Sequence, residues 1–494
     1  MTPLFRSEML AATSARAASA LATCAVFALS LASAANAEDR FVFEDAWALS
    51  GPCCGDSGHD IAVEPDGGFF IVGNFGALDL DLDGAVDLQS EGGHDAILVK
   101  GRPSGELAWV RAPRSPAASH ARLTVSLDRS GGVFIAGAFI DSLRFESGAS
   151  IAGRGPSDGL LARYGSDGTA LWARAIGGTG TDMLTDAATD AAGNVFVVGT
   201  VEGEVDVDSD LRSDARVEGG RGLLVASFDG AGALRWARIG DAGGDLSGTA
   251  VAVTPQGAVQ VAGHAEGDAD LDGDGRTDLR APGPPGAPFL AWFDASGKLL
   301  RASALVGEGP PRVGSLAHSA DGGLLVAGST DGSADLNGDG TPEVVSTDGV
   351  QTPFVAGFGR DGALTWTRAF NAGARLSILD LAAGGERIAI AGLYKEGIDL
   401  DGDGRPDAAA DPDGKSDGFI AVLDGGGAIR QVLAITGPGH DQPRGVALSA
   451  DGRTLSITGF VRLTADFNGD GRPEGGVRCD HQGDLVWARY RLTP

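Results

Sequence analysis

Val195-Phe196-Val197-Val198-Gly199 is a run of β-branched and aromatic residues closed by a glycine, and its ending, [IV]-x-G, returns at a nearly fixed distance along the chain. The closing glycine falls at Gly73, Gly137, Gly199, Gly263, Gly328, Gly392 and Gly459, at intervals of 64, 62, 64, 65, 64 and 67 residues. A repeat of this length outweighs local propensity, because each unit buries its apolar face only against its neighbours. Each unit reads as four short strands. The first is a segment such as 60–64, ending in a turn such as Pro65-Asp66-Gly67, and the second is the run that ends in [IV]-x-G. The third is represented by Phe419-Ile420-Ala421-Val422-Leu423 and the fourth by Ala233-Leu234-Arg235-Trp236-Ala237-Arg238. All are short, rich in β-branched, aliphatic or aromatic residues, and bounded by Gly, Asp and Pro, which is strand-and-turn chemistry.

No amphipathic helical stretch of useful length follows the N-terminal segment, and the 79 glycines suit a chain that turns every few residues. The expected fold is all-β: a single seven-bladed β-propeller of four-stranded antiparallel blades over residues 38–494, in which radial closure protects the sheet edges. Trp109, Trp172, Trp236, Trp366 and Trp487 each stand four residues after a turn glycine in the strand read as the fourth, with Arg301 and Gln431 in the same place in units four and six. These side chains are expected to pack between neighbouring units; sugar stacking is the alternative. Trp47, in the segment 41–49, reads as a further copy of that strand ahead of unit one, so one strand is surplus by sequence.

The connection between second and third strands carries an acidic nonapeptide, D-x-[DN]-x-D-G-x-x-[DE], in six of the seven units. The copies span residues 79–87, 206–214, 270–278, 335–343, 399–407 and 466–474. This spacing wraps hard oxygen ligands around Ca²⁺: side chains at positions 1, 3 and 5, the carbonyl at 7 and the acid at 9. Glycine at position 6 supplies a positive φ. Concentrating three or four carboxylates in nine residues is unfavourable without a cation. The apolar residue at position 2 (Leu80, Val207, Leu271, Leu336, Leu400, Phe467) is expected to pin each loop. Unit two has Ser142-Leu143-Arg144-Phe145-Glu146 instead and should lack a site, and unit three has Leu211 at the glycine position and should hold the weakest.

Residues 1–37 read as a signal peptide, with Arg6 and Arg16 in or beside a charged leader, an apolar run over 17–34 and an A-x-A site at Ala35-Asn36-Ala37. The protein is thus expected to be secreted, periplasmic or at the cell surface of a bacterium, without a membrane span. Removing that segment leaves 36 basic and 66 acidic residues, and the six loops hold 22 of the acids. Such a chain repels nucleic acid and anionic membranes. Cys53, Cys54 and Cys479 remain; a bridge from Cys479 to one of the pair would staple the ring, and a vicinal Cys53–Cys54 disulfide or free thiols are the alternatives.

The units resemble the SBBP-type bacterial β-propeller repeat, with its D-x-x-G-N-x-x-x-x-G segment (residues 190–199) and G-x-L-x-W ending (residues 232–236). The acidic loops resemble the calcium loops of FG-GAP and VCBS propellers, including those of integrin α-chains. The resemblance implies up to six Ca²⁺ ions. Its side-chain ligands would be Asp79, Asp81, Asp83 and Asp87 in unit one, and Asp206, Asp208, Asp210 and Asp214 in unit three. Asp270, Asp272, Asp274 and Asp278 would serve unit four, and Asp335, Asn337, Asp339 and Glu343 unit five. Unit six would use Asp399, Asp401, Asp403 and Asp407, and unit seven Asp466, Asn468, Asp470 and Glu474. An EF-hand would need an acid at position 12, where Ser90, Val217, Ala281, Ser346, Ala410 and Val477 stand.

No catalytic constellation is expected. His59-Asp60 and His440-Asp441 read as equivalent turns before a first strand, and Gly155-Pro156-Ser157-Asp158-Gly159 precedes a strand where a nucleophile elbow would follow one. The reading is a calcium-binding module or scaffold, expected to be monomeric, for an unknown protein or carbohydrate ligand. A propeller hydrolase or lyase acting on an extracellular polysaccharide at the channel mouth, and a structural matrix component, are the alternatives. A channel mouth with mixed acids, arginines and aromatics would favour the enzyme.

Overall fold

A computed structural model describes residues 40–51, 55–81, 85–117, 123–283, 285–309, 311–346, 350–370, 375–402, 404–409, 415–474 and 483–493. Residues 1–39, which include the stretch expected to be a signal peptide, and Cys53, Cys54, Cys479, Asp83 and Asp403 lie outside the described residues. Among those described there is no helix; the chain is antiparallel β-sheet, turns and loops.

The strands pair in sets of four, in chain order. In unit one Ser57–Val63 pairs with Phe69–Phe75, then Asp95–Gly101, then Leu107–Arg111. Units four, five and six repeat this as separate sheets, and units two and three are joined within one ten-stranded sheet. The last set is Asp441–Leu448, Thr454–Val461 and Asp484–Thr493, and its fourth strand is Arg40–Leu49 from the other end of the chain. No strand is therefore surplus. Trp487 lies in a third strand, not a fourth, and Trp47 holds the outer place of the final set.

The first strands contact one another in a cycle, each touching the first strand of the units before and after it, and Asp441–Leu448 touches Ser57–Val63. Four-stranded antiparallel sheets set radially about an axis make a β-propeller. The apolar core is divided accordingly into layers between neighbouring units. Phe134, Leu161, Val197 and Leu224 pack between units two and three. Phe196, Val225, Val261 and Phe289 pack between units three and four.

The repeated glycine has a steric cause. Six first strands carry a bulge, as between Leu184 and Asp186 opposite Gly199 and Val198. The bulge brings a backbone carbonyl against the second strand. A Cβ on Gly199 would lie 2.2 Å from the Met183 carbonyl oxygen, and one on Gly459 1.9 Å from that of Gln442. Any side chain there would push the two strands apart.

The outer-strand residues tie adjacent units. The indole Nε1 of Trp47, Trp109, Trp172 and Trp236 donates to Gly105, Ser166, Gly230 and Ala295 respectively, each a carbonyl in the next unit's turn between third and fourth strands. Arg301 makes the same crossing to Asp361 and Gly362, and Gln431 exchanges two 2.8 Å bonds with the backbone of Phe41. A tryptophan, an arginine and a glutamine thus fill one structural post. The expected packing of these tryptophans between neighbouring units is thus seen at Trp47, Trp109, Trp172 and Trp236.

Candidate metal loops

Each acidic nonapeptide sits on the second-to-third strand connection and leans on its neighbour. The backbone of position 1 bridges to the tail of the preceding unit's outer strand: Asp79 to Ser50, Asp206 to Gly177, Asp270 to Asp241, Asp335 to Val306 and Asp466 to Thr436. The position 2 side chains Val207, Leu271, Leu336, Leu400 and Phe467 are buried, and Leu80 is half-buried. The loops are therefore pinned at the seams between units.

The internal wiring repeats. In all six loops the acid at position 9 accepts the N–H of position 2, as from Leu80 to Asp87 at 2.7 Å and from Phe467 to Glu474 at 2.6 Å. In units three to seven the position 1 carboxylate accepts the N–H of position 4 on Oδ1 and that of position 6 on Oδ2. The inward direction expected for position 1 is thus shared between backbone amides and the loop centre. Both donors lie at positive φ. Gly273, Gly338, Gly402 and Gly469 at position 4 and Gly275, Gly340, Gly404 and Gly471 at position 6 have φ between 75° and 90°. The second glycine, at position 4, was missing from the pattern read in the sequence.

Carboxylate oxygens converge in five loops, within 4.8 Å of one another: Asp79, Asp81 and Asp87; Asp206, Asp208 and Asp210; Asp270, Asp272 and Asp278; Asp335, Asp339 and Glu343; Asp399, Asp401 and Asp407. Oxygens about 2.3–2.6 Å from one Ca²⁺ span no more than about 5 Å, so these sets fit a single ion. Asp214 and Asp274 stand outside the sets, and Asp466, Asp470 and Glu474 do not form one. Asn337 Nδ2 donates to Glu343 at 2.5 Å and to Asp339 at 3.2 Å. In unit four the Asp272 Oδ1 atom is buried and has no hydrogen-bond partner. A buried carboxylate oxygen without a donor is costly, and a cation at the loop centre relieves it. Burial raises the Asp278, Asp407 and Glu474 carboxyls above their ordinary range, and neighbouring loop carboxylates add to the effect.

Two loops differ. Unit three places Ser209 and Leu211 at φ 65° and 72°, where the other loops use glycine. The Arg154 guanidinium reaches in from unit two, 3.2 Å from Asp206 Oδ2. Unit two carries a plain hairpin, Ser142–Arg144 with Ser150–Ala152, and the Arg144 guanidinium meets Glu91 at 2.6 Å.

The central cavity, about 420 Å³, is lined by the first strands of all seven sets. Its carboxylates are committed to the next unit: Asp60 accepts the Val125 N–H, Asp186 that of Val251 and Asp380 that of Val446, each at 2.8 Å. No arginine and no Phe, Tyr or Trp ring lines it among the described residues; His318 does, with Nδ1 3.2 Å from the Gly323 carbonyl. The expected equivalence of His59-Asp60 with His440-Asp441 does not hold. The bulge between Gly58 and Asp60 matches that between Pro443 and Gly445, so Asp441 takes the register of Asp56 and Asp182. The pair His59-Asp60 lies inside its strand. The hydroxyl of Ser157 donates to the Asp182 carbonyl at 2.7 Å, which makes it a turn residue.

No protein-family model and no curated protein matches the chain. Among solved structures, the WD40 repeats of RRP9 align over 92% of this chain and 100% of that one, at 11% identity and a TM-score of 0.47. The C-terminal WD40 domain of Sif2 covers 91% of this chain and 100% of its own, at 11% identity and a TM-score of 0.40. A catalytically inactive virginiamycin B lyase from Staphylococcus aureus with quinupristin covers 91% and 99%, at 9% identity and 0.40. No activity is taken from likeness at this level.

Proposed function

We propose that this is a secreted, calcium-binding, seven-bladed β-propeller of the SBBP-like kind, whose acidic loops clamp neighbouring blades and whose role is to bind or scaffold a partner. The observation that carries the calcium reading is the convergence of carboxylates in five phased loops, one of them with a buried oxygen that nothing else satisfies. Ca²⁺ supplies positive charge and a flexible oxygen shell. The chain's own part is to hold the carboxylates apart from one another with backbone amides and to anchor each loop at a seam. A channel whose acids are occupied in bonds between blades favours the binding role over catalysis at its mouth.

Calorimetric titration of the metal-free mature protein tests this. Five to six Ca²⁺ per chain are expected, with no comparable heat from Mg²⁺. Fewer than two Ca²⁺ per chain would refute the loop assignment. Detection of the intact N-terminal segment on the exported protein would refute secretion by signal cleavage.

A further inference from the structure

A second open cavity lies between units five, six and seven, on the face that carries the acidic loops, with a volume of about 850 Å³. It is lined by Arg375 at the head of unit six's first strand, Lys395 after its second, Ser416 before its third, and His440, Phe460 and Arg462 of unit seven, among others. No acidic residue lines it among the described residues. In a chain of net charge −29 this is a local reversal of sign. Arg375, Lys395 and Arg462 have no carboxylate ion-pair partner among the described residues. These three cations are solvent-exposed and lie about one hollow, so they give it a positive potential that attracts an anion.

The neutral groups point the same way. Ser416 is buried, and its backbone N–H donates to His440 Nδ1 at 3.3 Å while its hydroxyl lies 2.8 Å from the same nitrogen. A ring nitrogen that accepts an N–H carries no proton, so His440 is the Nε2–H tautomer and offers a donor. Without an acid on that ring, the Ser416–His440 pair lacks the orienting group of a hydrolytic triad. Its contribution is a donor, not a nucleophile. Guanidinium and ammonium groups, an imidazole N–H and the apolar Phe460 side chain together suit an oxyanion on a carbon skeleton. The volume is that of a small-molecule site and exceeds what a bare inorganic anion fills.

We infer that this cavity binds a small organic oxyanion, its carboxylate or sulfate group held by Arg375 and Arg462. This deepens the binding-module reading by naming the ligand class, and it does not depend on the metal loops. The test is calorimetry on the mature chain in calcium at low ionic strength, with glucuronate, glucose 6-sulfate and neutral glucose as probes. One anion or both should bind at one per chain, while glucose should not. Arg375→Gln with Arg462→Gln should weaken that binding about a hundredfold, about tenfold per lost charge-assisted contact. Arg102→Gln, on the exposed turn of unit one, should leave it unchanged. A melting temperature equal to that of the parent certifies that the double variant is folded. Binding of neither anion above glucose, or equal binding by the double variant, overturns the inference. The shift in melting temperature on chelation reports the calcium reading separately, so either can fail alone.

Discussion

The loops of units three and four have the same backbone path and different residues. Both wire the position 1 carboxylate to the amides of positions 4 and 6, and both hang the position 9 acid on the amide of position 2. Unit four meets the two positive φ values with Gly273 and Gly275, whereas unit three forces Ser209 and Leu211 into them. Unit four leaves Asp272 Oδ1 without a partner, whereas unit three has drawn in Arg154 beside Asp206. The carboxylates thus shape the loop through their own amides. Glycine sets how cheaply that shape is held, and a nearby guanidinium sets how much a metal adds.

Chelation is the widest test of this contrast. At about millimolar calcium and a dissociation constant tenfold lower, each site adds about 1.4 kcal/mol, so six would add about 8 kcal/mol. EDTA should therefore lower the melting temperature by many degrees, and an unchanged melt would mean that the amides alone hold the loops. Acidity separates the two units next. Asp182, at the foot of unit three, is pushed up to about 6 by burial, and the Asp158 and Glu202 carboxylates add to the rise, while Leu246 stands in its register in unit four. Its folded pKa exceeds the unfolded value, so its stabilising share is full below about pH 4 and is lost as pH rises through 6. In EDTA the protein should accordingly be more stable at pH 5 than at pH 7, with about 1.3 kcal/mol of the difference from Asp182, and Asp182→Asn should remove that part of the slope. A melt that rises toward pH 7 contradicts this.

Smaller effects follow from single loops. Asp272→Ala should remove one Ca²⁺ from the stoichiometry and about 1.4 kcal/mol of calcium-dependent stability, with the melt in EDTA no lower and raised where the unpartnered oxygen is costly. A lower melt in EDTA as well would show that the side chain matters without metal. Ser209→Gly with Leu211→Gly should stabilise by about 1 kcal/mol, the relief of two left-handed residues less the added freedom of the unfolded chain. Gly273→Ala with Gly275→Ala in unit four should cost at least as much, and equal effects in the two units would erase the distinction. Arg154→Gln should tighten calcium at unit three by a few-fold, since a guanidinium that competes with the cation for Asp206 is removed. Unaltered titration heats would show that Arg154 is a bystander.

Much of this architecture is legible from local pattern. The [IV]-x-G period marks the second strands because a bulge opposite forbids a Cβ there. The D-x-x-G-N segment is a turn because Asp190 accepts the amides of Ala192 and Asn194. The loops announce themselves by carboxylate spacing, whereas the position 4 glycines Gly273, Gly338, Gly402 and Gly469 are a weaker signal because Leu82 and Ser209 stand there in units one and three. What stayed hidden is non-local. Trp487 follows its turn glycine just as the fourth-strand tryptophans do, and only pairing with residues at the far end of the chain shows its strand to be third. A single-residue bulge was enough to misalign His59-Asp60 with His440-Asp441. The cationic hollow draws on residues from 350 to 462, and no run of sequence displays it.

The union of Arg40–Leu49 with Asp484–Thr493 has a bearing on biogenesis. Synthesis runs from one partner to the other, so the earliest strand emerges hundreds of residues before its mate. Until then it presents an unpaired edge able to recruit foreign strands. Glu44, bracketed by Arg489 at 2.8 Å and Arg491 at 3.0 Å, is the charge that greets the latecomer. Synthesis must deliver the whole polypeptide before the circle can lock, so that leading edge stays open until the last strand arrives.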